Sequence, residues 1–101
     1  TVLESTIFER RLRQPKGVML RELDGEAVLL NLDNGRYYGL DEVGTRLYAL
    51  LTGAATAEAA LAAARAEYEV DEVTLHADVT ALVERLVDEG LIEYADGEPG
   101  D

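Results

Sequence analysis

The chain has 101 residues, 48% of them apolar, and it carries 21 Asp and Glu against 9 Lys and Arg, for a net charge of −12 at pH 7. This length fits one domain with a single modest core. The negative charge argues against nucleic acid and anionic membranes as partners. It favours a basic partner, or it simply keeps the protein in solution. Cysteine is absent, which excludes disulfides and thiolate metal sites and fits the cytoplasm, and no stretch is apolar for long enough to span a bilayer.

Residues 1–16 are interpreted as an N-terminal arm. The segment holds four of the nine basic side chains and ends near Pro15 and Gly17. The arm is expected to hold a short strand around Ile7, and a frayed terminus is the alternative. The basic side chains are Arg10, Arg11, Arg13 and Lys16.

Residues 18–40 predict a three-stranded antiparallel meander. Its segments "VMLREL", "EAVLLNL" and "RYYGL" are rich in strand-forming residues, and "DG" and "DNG" between them are tight-turn signals. The predicted strands are 18–23, 26–32 and 36–40, with turns at 24–25 and 33–35.

From Asp41 onward the apolar spacing changes to that of helices. Asp41 and Thr56 are candidate N-caps of a first helix that ends at Gly53 and of a second, alanine-rich helix over 57–70. A third helix is predicted from Val73 to Glu89, with Gly90 just beyond its end. Residues 91–94 predict a short strand, and 95–101 a disordered tail.

This order of elements predicts an α+β fold similar to a winged helix-turn-helix, in which a three-stranded N-terminal sheet precedes three helices and a short C-terminal strand. The third helix carries Arg85 among acidic side chains, so a role in reading DNA is disfavoured. Its apolar stripe is predicted to consist of Leu75, Val79, Leu82 and Leu86, widened by Val83 and Val87.

The sequence provides no recognisable catalytic constellation. His76 is the only histidine, and a single histidine beside an apolar stripe is usually a packed or surface side chain. Phosphate-binding glycine motifs and the calcium-loop pattern are missing. We therefore expect no enzymatic activity, no metal and no cofactor.

Surface binding is the remaining function. The strand at 36–40 is the last of the meander, so one of its edges is expected to be unpaired and able to accept a peptide as an added strand. Arg36, Tyr38 and Leu40 would face one side and Tyr37 and Gly39 the other. The alternative is that both tyrosines only complete the core.

The segment "LLNLDNGRYYGLDEVGTRLYALLTG", the alanine-rich helix and "ADVTALVERLVDEGLIE" together resemble the PqqD-like family, over roughly residues 17–94. Members of this family are also called RiPP recognition elements, where RiPP denotes a ribosomally made and modified peptide. Members in pyrroloquinoline quinone biosynthesis tend to carry "PEG" before the first helix and a Cys in it. This chain has "DNG" and no Cys, and it is most similar to the standalone subunits of lasso-peptide systems.

The resemblance implies a non-catalytic domain that binds a precursor's leader peptide as an extra strand against the third helix. It also implies that the domain presents the precursor to a cysteine-protease-like leader peptidase and then to a macrocyclase, which is ATP-dependent. A chaperone of another RiPP pathway, or a winged-helix module that binds another protein or weakly binds DNA, remains an alternative. The predicted peptide-binding residues are Arg36, Tyr37, Tyr38, Gly39 and Leu40 in the strand and Leu75, Asp78, Val79, Leu82 and Arg85 in the helix. Within the helix, the family-like "ADV" places Asp78 where a polar anchor for the leader would lie. The flank with Thr74, Asp78 and Arg85 is therefore predicted to face the peptide. The flank with His76, Val83 and Val87 is the alternative.

Overall fold

Antiparallel pairing and three helices organise the computed structural model, which describes residues 8–95. The strands β2, β3 and β4 form one sheet in that order, and β1 pairs with β5. The predicted fold class is confirmed. The elements are β1 (Leu12–Arg13), β2 (Val18–Leu23), β3 (Glu26–Asn31), β4 (Tyr37–Leu40), α1 (Glu42–Gly53), α2 (Ala57–Glu67), α3 (Glu72–Asp88) and β5 (Glu93–Tyr94).

Both predicted turns of the meander are present. Asp24 and Gly25 have φ values of 56° and 84°, and two successive left-handed residues match the twist of a two-residue hairpin. Gly35 has a φ of 75° in the second turn. These turns bring β3 between β2 and β4, with Leu29 opposite both Leu20 and Tyr38.

Side-chain caps fix the starts of the three helices. Asp41 accepts a hydrogen bond from the Gly44 N–H at 2.7 Å, and Thr56 accepts one from the Ala59 N–H at 3.1 Å, as the sequence predicts. Asp71, which the sequence analysis did not identify as a cap, accepts from the Thr74 N–H at 3.1 Å, so α3 begins before Val73.

Two further details of the helices differ from the prediction. The helix predicted over 57–70 ends at Glu67, because Tyr68 takes an extended backbone with φ −120° and ψ 135°. The buried stripe of α3 contains Val83 in place of the predicted Leu82, since Val83 is fully buried and Leu82 is only partly buried. The buried residues of α3 are Leu75, Val79, Val83 and Leu86.

The core lies between the inner face of the sheet and the helices. Tyr48 of α1 is 1% exposed, and its hydroxyl donates to the Leu91 carbonyl at 2.8 Å. Burial raises the pKa of Tyr48 above its ordinary value. This bond connects α1 to the segment that follows α3. Among residues 8–95, no helix is long and apolar enough to cross a membrane.

The segment before the meander contributes to this core. Phe8 and Leu12 are buried, and β1, which the sequence analysis did not identify, places Leu12 opposite Tyr94. The described part of the predicted arm is therefore packed on the domain, and the boundary at residue 16 stays a prediction. The strand predicted around Ile7 lies outside the described residues.

The end of the domain reaches slightly beyond the predicted one. Ala95, which the prediction assigned to the tail, is buried, and its N–H donates to the Arg11 carbonyl at 2.9 Å. The remainder of the predicted tail, residues 96–101, lies outside the described residues.

Candidate functional site

The outer edge of β4 is an edge of the three-stranded sheet that lies beside a helix. Within residues 8–95, β4 pairs with β3 on one side only. The Asn31 N–H donates to the Arg36 carbonyl at 2.8 Å, as in a hydrogen-bonded pair, and the Asn31 carbonyl accepts from the Gly35 N–H of the turn. Hydrogen-bonded pairs alternate along an antiparallel ladder, so Tyr38 opposite Leu29 directs its N–H and C=O to β3.

The alternation leaves two residues with backbone groups directed to the free edge. Tyr37 and Gly39 lie between the pairs that bond to β3, so their N–H and C=O groups point away from it. The free edge therefore offers two donors and two acceptors over about 7 Å of strand. Such an edge can hold one added strand of a few residues.

The side chains of β4 divide between two faces of the sheet. Tyr38 is partly buried and Leu40 is 5% exposed on the inner face, which is the face that α3 approaches. Tyr37, at 73% exposure, and Gly39 lie on the outer face. The alternative that both tyrosines complete the core is wrong for Tyr37.

One flank of α3 lies against the inner side of the β4 edge. The guanidinium carbon of Arg85 is 5.4 Å from the centre of the Tyr38 ring, which is within the range of a cation–π contact. Arg36 Nη1 is 3.1 Å from Glu89 Oε1, and Arg85 Nε is 3.7 Å from Glu89 Oε2. These contacts place the start of β4 beside the last turn of α3.

Asp78 and Leu82 share the flank of α3 that carries Arg85. The three residues are spaced by four and three positions, which places them on one helical face. Asp78 is exposed and Leu82 is partly buried. We call the surface between this flank of α3 and Tyr38 the β4–α3 groove. It is apolar at Leu82 and Tyr38 and charged at Asp78 and Arg85, and the contact of Arg85 with Tyr38 joins its two sides.

The other predicted site residues on α3 lie deeper. Leu75 and Val79 are 4% and 1% exposed, so they support the groove from the core and offer little surface in the free protein. Their contact with a peptide, like that of Leu40, stays a prediction. On the opposite flank Val83 is fully buried, and His76 stacks with Phe8 at 4.3 Å between ring centres.

Asn31 positions one end of the groove and was not identified from the sequence. It is 8% exposed, its amide nitrogen donates to the Gly90 carbonyl at 3.1 Å, and its amide oxygen accepts from the Asp33 N–H at 2.9 Å. One side chain thus connects the β3–β4 turn to the end of α3. An asparagine at the end of an apolar strand, two positions before "DNG", is the signal that could have indicated it.

A polar pocket of about 440 Å³ lies where the groove ends, lined by Asn34, Arg36, Val87, Asp88, Glu89 and Gly90. The Glu89 carboxylate is held beside Arg36, and Asp88 adds a second carboxylate to the lining, so the pocket suits polar or cationic parts of a ligand. Among the described residues no cluster of His, Asp or Glu is arranged to hold a metal ion. The arrangement presents hydrogen-bond donors, acceptors and apolar walls, which are the elements of a peptide-binding site.

The chain is similar to a known family and to solved structures. The chain matches the sequence profile of the family described as coenzyme PQQ synthesis protein D (PqqD) over residues 26–92. No curated protein matches it significantly. A solved structure, TbiB1 in complex with the TbiA(beta) leader peptide, has 38% sequence identity and a TM-score of 0.75, and the alignment covers 83% of this chain and 99% of that one.

A second solved structure, lasso peptide synthetase B1 complexed with the leader peptide, has 23% identity and a TM-score of 0.73. The alignment covers 82% of this chain and 98% of that one. At this identity the likeness shows that the two chains share a fold.

Proposed function

We propose, from the premise that this chain belongs to the PqqD family, that it binds the leader peptide of a ribosomally made precursor and that the precursor is a lasso peptide. The observation that carries the proposal is the free edge of β4 beside the Arg85 flank of α3. The 38% identical relative is a protein in complex with a leader peptide, and nearly its whole length aligns with this chain.

The leader binds by adding a strand to β4. Its backbone bonds to the N–H and C=O groups of Tyr37 and Gly39, and each such bond contributes about 0.5–1.5 kcal/mol net. These bonds are the same for every sequence, so side chains must provide selectivity. The leader residues that face inward meet Tyr38, Leu82 and the Arg85 guanidinium, and Asp78 anchors a polar or basic group.

The protein acts as a non-catalytic adaptor. It holds the leader and presents the precursor to a cysteine-protease-like leader peptidase and an ATP-dependent macrocyclase, and it works in the cytoplasm without a cofactor. The lack of an acid–base or nucleophilic constellation in the β4–α3 groove supports this role. A net charge of −12 also suits a leader or enzyme surface with basic groups.

A second candidate is the role of a peptide chaperone in another RiPP pathway, which the description of the family as a coenzyme PQQ synthesis protein favours. The mode of binding would be the same and the precursor would differ. Genes beside the one that encodes this chain decide between them. A short precursor gene with a transglutaminase-like peptidase and an asparagine-synthetase-like cyclase indicates a lasso-peptide pathway.

A fluorescence-polarisation titration tests the proposal. The probe is the fluorescein-labelled leader of the precursor encoded beside this gene, which we call the neighbouring leader. We expect saturable binding, and we expect N-methylation of the leader amides that bond to Tyr37 and Gly39 to weaken it by about 1 kcal/mol or more each. Methylation of the intervening amides, which point away from β4, is the matched control and should have little effect. Equal binding by all methylated peptides would rule out strand addition.

A further inference from the structure

The outer face of the three-stranded sheet is unusually apolar for so acidic a chain. Met19, Val28 and Tyr37 are 37%, 46% and 73% exposed on it, and they occupy all three strands. This face lies on the opposite side of the sheet from the core. A strand added to β4 would extend the face, because every second side chain of that strand would lie on it.

Gly39 leaves a notch at the edge of this outer face. A Cβ atom built on Gly39 meets no atom within 4 Å, and Gly39 is not among the glycines with positive φ. Neither the backbone conformation nor crowding therefore requires glycine at this position. What the missing side chain provides is space next to Val28, its partner on β3.

The space at Gly39 is part of a larger depression. A pocket of about 580 Å³ is lined by the row Arg21, Val28 and Gly39, by other residues of the β2–β3 hairpin and by Leu40 and Asp41. Its acidic lining residues are Glu22, Glu26 and Asp41. Arg21 lies opposite Val28 on β2, is exposed, and has no ion-pair partner among the described residues. The depression thus has an apolar floor and a guanidinium at its far side.

We propose that this depression is a second subsite for the leader, and that it takes one large apolar side chain, preferably aromatic, from the leader residue paired with Gly39. Directly paired residues of adjacent strands project to the same face, so this side chain must lie over Gly39 and against Val28. Aromatic side chains compensate in this way for glycines on a neighbouring strand. Arg21 can then lie over the ring as a cation. The inference rests on the proposed strand addition and names the specificity of its outer side.

The consequence is that two adjacent leader residues are read on opposite sides of the sheet. The residue paired with Tyr38 enters the β4–α3 groove, and the residue paired with Gly39 enters the outer notch. A leader that satisfies only the groove keeps its backbone bonds but leaves the apolar floor at Val28 in water. Recognition from both sides fixes the register, because a slip by one residue exchanges the two side chains.

A valine side chain at position 39 tests the subsite, because it would occupy the space of the notch. We expect Gly39→Val to keep the fold, since its Cβ meets no neighbour and valine favours strands, and to weaken binding of the neighbouring leader at least tenfold. Leu32→Ala is the control, because Leu32 is 57% exposed in the β3–β4 turn and does not line the depression. It should bind within twofold of the unaltered chain.

A scan of the leader completes the test and does not depend on how Gly39→Val folds. With the unaltered chain, alanine at the leader position that the N-methylation pattern pairs with Gly39 should weaken binding tenfold or more. With Gly39→Val, the same alanine substitution should cost less than threefold. The subsite is refuted if that position holds a small or polar residue, or if its replacement has no effect on a chain that otherwise binds. Failure of the unaltered chain to bind at all refutes the proposed function itself.

Discussion

The side-chain amide of Asn31 connects the β3–β4 turn to the end of α3 through two hydrogen bonds. Replacement of Asn31 by aspartate keeps one of these bonds and removes the other. The carboxylate still accepts from the Asp33 N–H, as the amide oxygen does at 2.9 Å, but it cannot donate to the Gly90 carbonyl 3.1 Å away. One net hydrogen bond is worth about 1 kcal/mol, and a largely buried carboxylate facing a carbonyl oxygen adds a desolvation and repulsion cost of about 1–2 kcal/mol. We therefore expect Asn31→Asp to lower the free energy of unfolding by about 2–3 kcal/mol, which is about 10 °C or more in Tm for a domain of this size.

Urea unfolding followed by circular dichroism measures this loss. The matched control is Asn34→Asp, in the same turn, because the exposed Asn34 side chain uses its oxygen to accept from the Arg36 N–H at 2.8 Å and a carboxylate can do the same. We expect this control to stay within about 0.5 kcal/mol of the unaltered chain. The reasoning is refuted if the two variants are equally stable.

Three further predictions concern the groove, the core and the charge. Asp78→Ala and Arg85→Ala should each weaken binding of the neighbouring leader by about 1–2 kcal/mol in the polarisation assay and leave Tm almost unchanged. Val83→Ala should instead lower the free energy of unfolding by about 1–3 kcal/mol, because it deletes a core side chain. If the first two variants bind normally, the leader does not contact this flank of α3. Tyr48→Phe should remove the bond to Leu91 and cost about 1 kcal/mol at neutral pH. Because the pKa of Tyr48 is raised in the folded protein, the stability that this side chain contributes is present below the unfolded pKa of about 10 and is lost as pH rises above it. The loss of stability at alkaline pH should therefore be smaller in Tyr48→Phe than in the unaltered chain. Parallel pH profiles of the two proteins would contradict this. The chain should not shift any defined DNA duplex at submicromolar concentration in an electrophoretic assay at moderate salt, given its net charge of −12.

Local signals in the sequence account for most of the fold. Turn residues such as Asp24 and Gly25, and caps such as Asp41 and Thr56, act on the backbone within a few positions and can therefore be recognised without a structure. Strand β1 could not be recognised in this way. It has two residues, and it exists because Leu12 pairs with Tyr94 at the other end of the chain.

The sequence indicated which side of the sheet each candidate site residue of β4 faces, but not how deeply the residues of α3 are buried. Strand alternation indicated that Tyr37 and Tyr38 face different sides, and the structure places Tyr37 in solvent. Helical periodicity alone could not show that Val83 is fully buried and Leu82 only partly buried, because the two are adjacent and both apolar. Their difference follows from the angle at which α3 packs on the core, which tertiary contacts determine.

Amide hydrogen exchange, followed residue by residue by NMR, tests strand addition to β4 most directly. In the free protein Tyr38 and Leu40 donate to β3 and should exchange slowly, whereas Tyr37 and Gly39 face the open edge and should exchange fast. Saturation with the neighbouring leader should slow exchange at Tyr37 and Gly39 at least tenfold. If the leader binds while these two amides keep their fast exchange, or if protection appears instead along the free edge of β2, the leader does not add to β4.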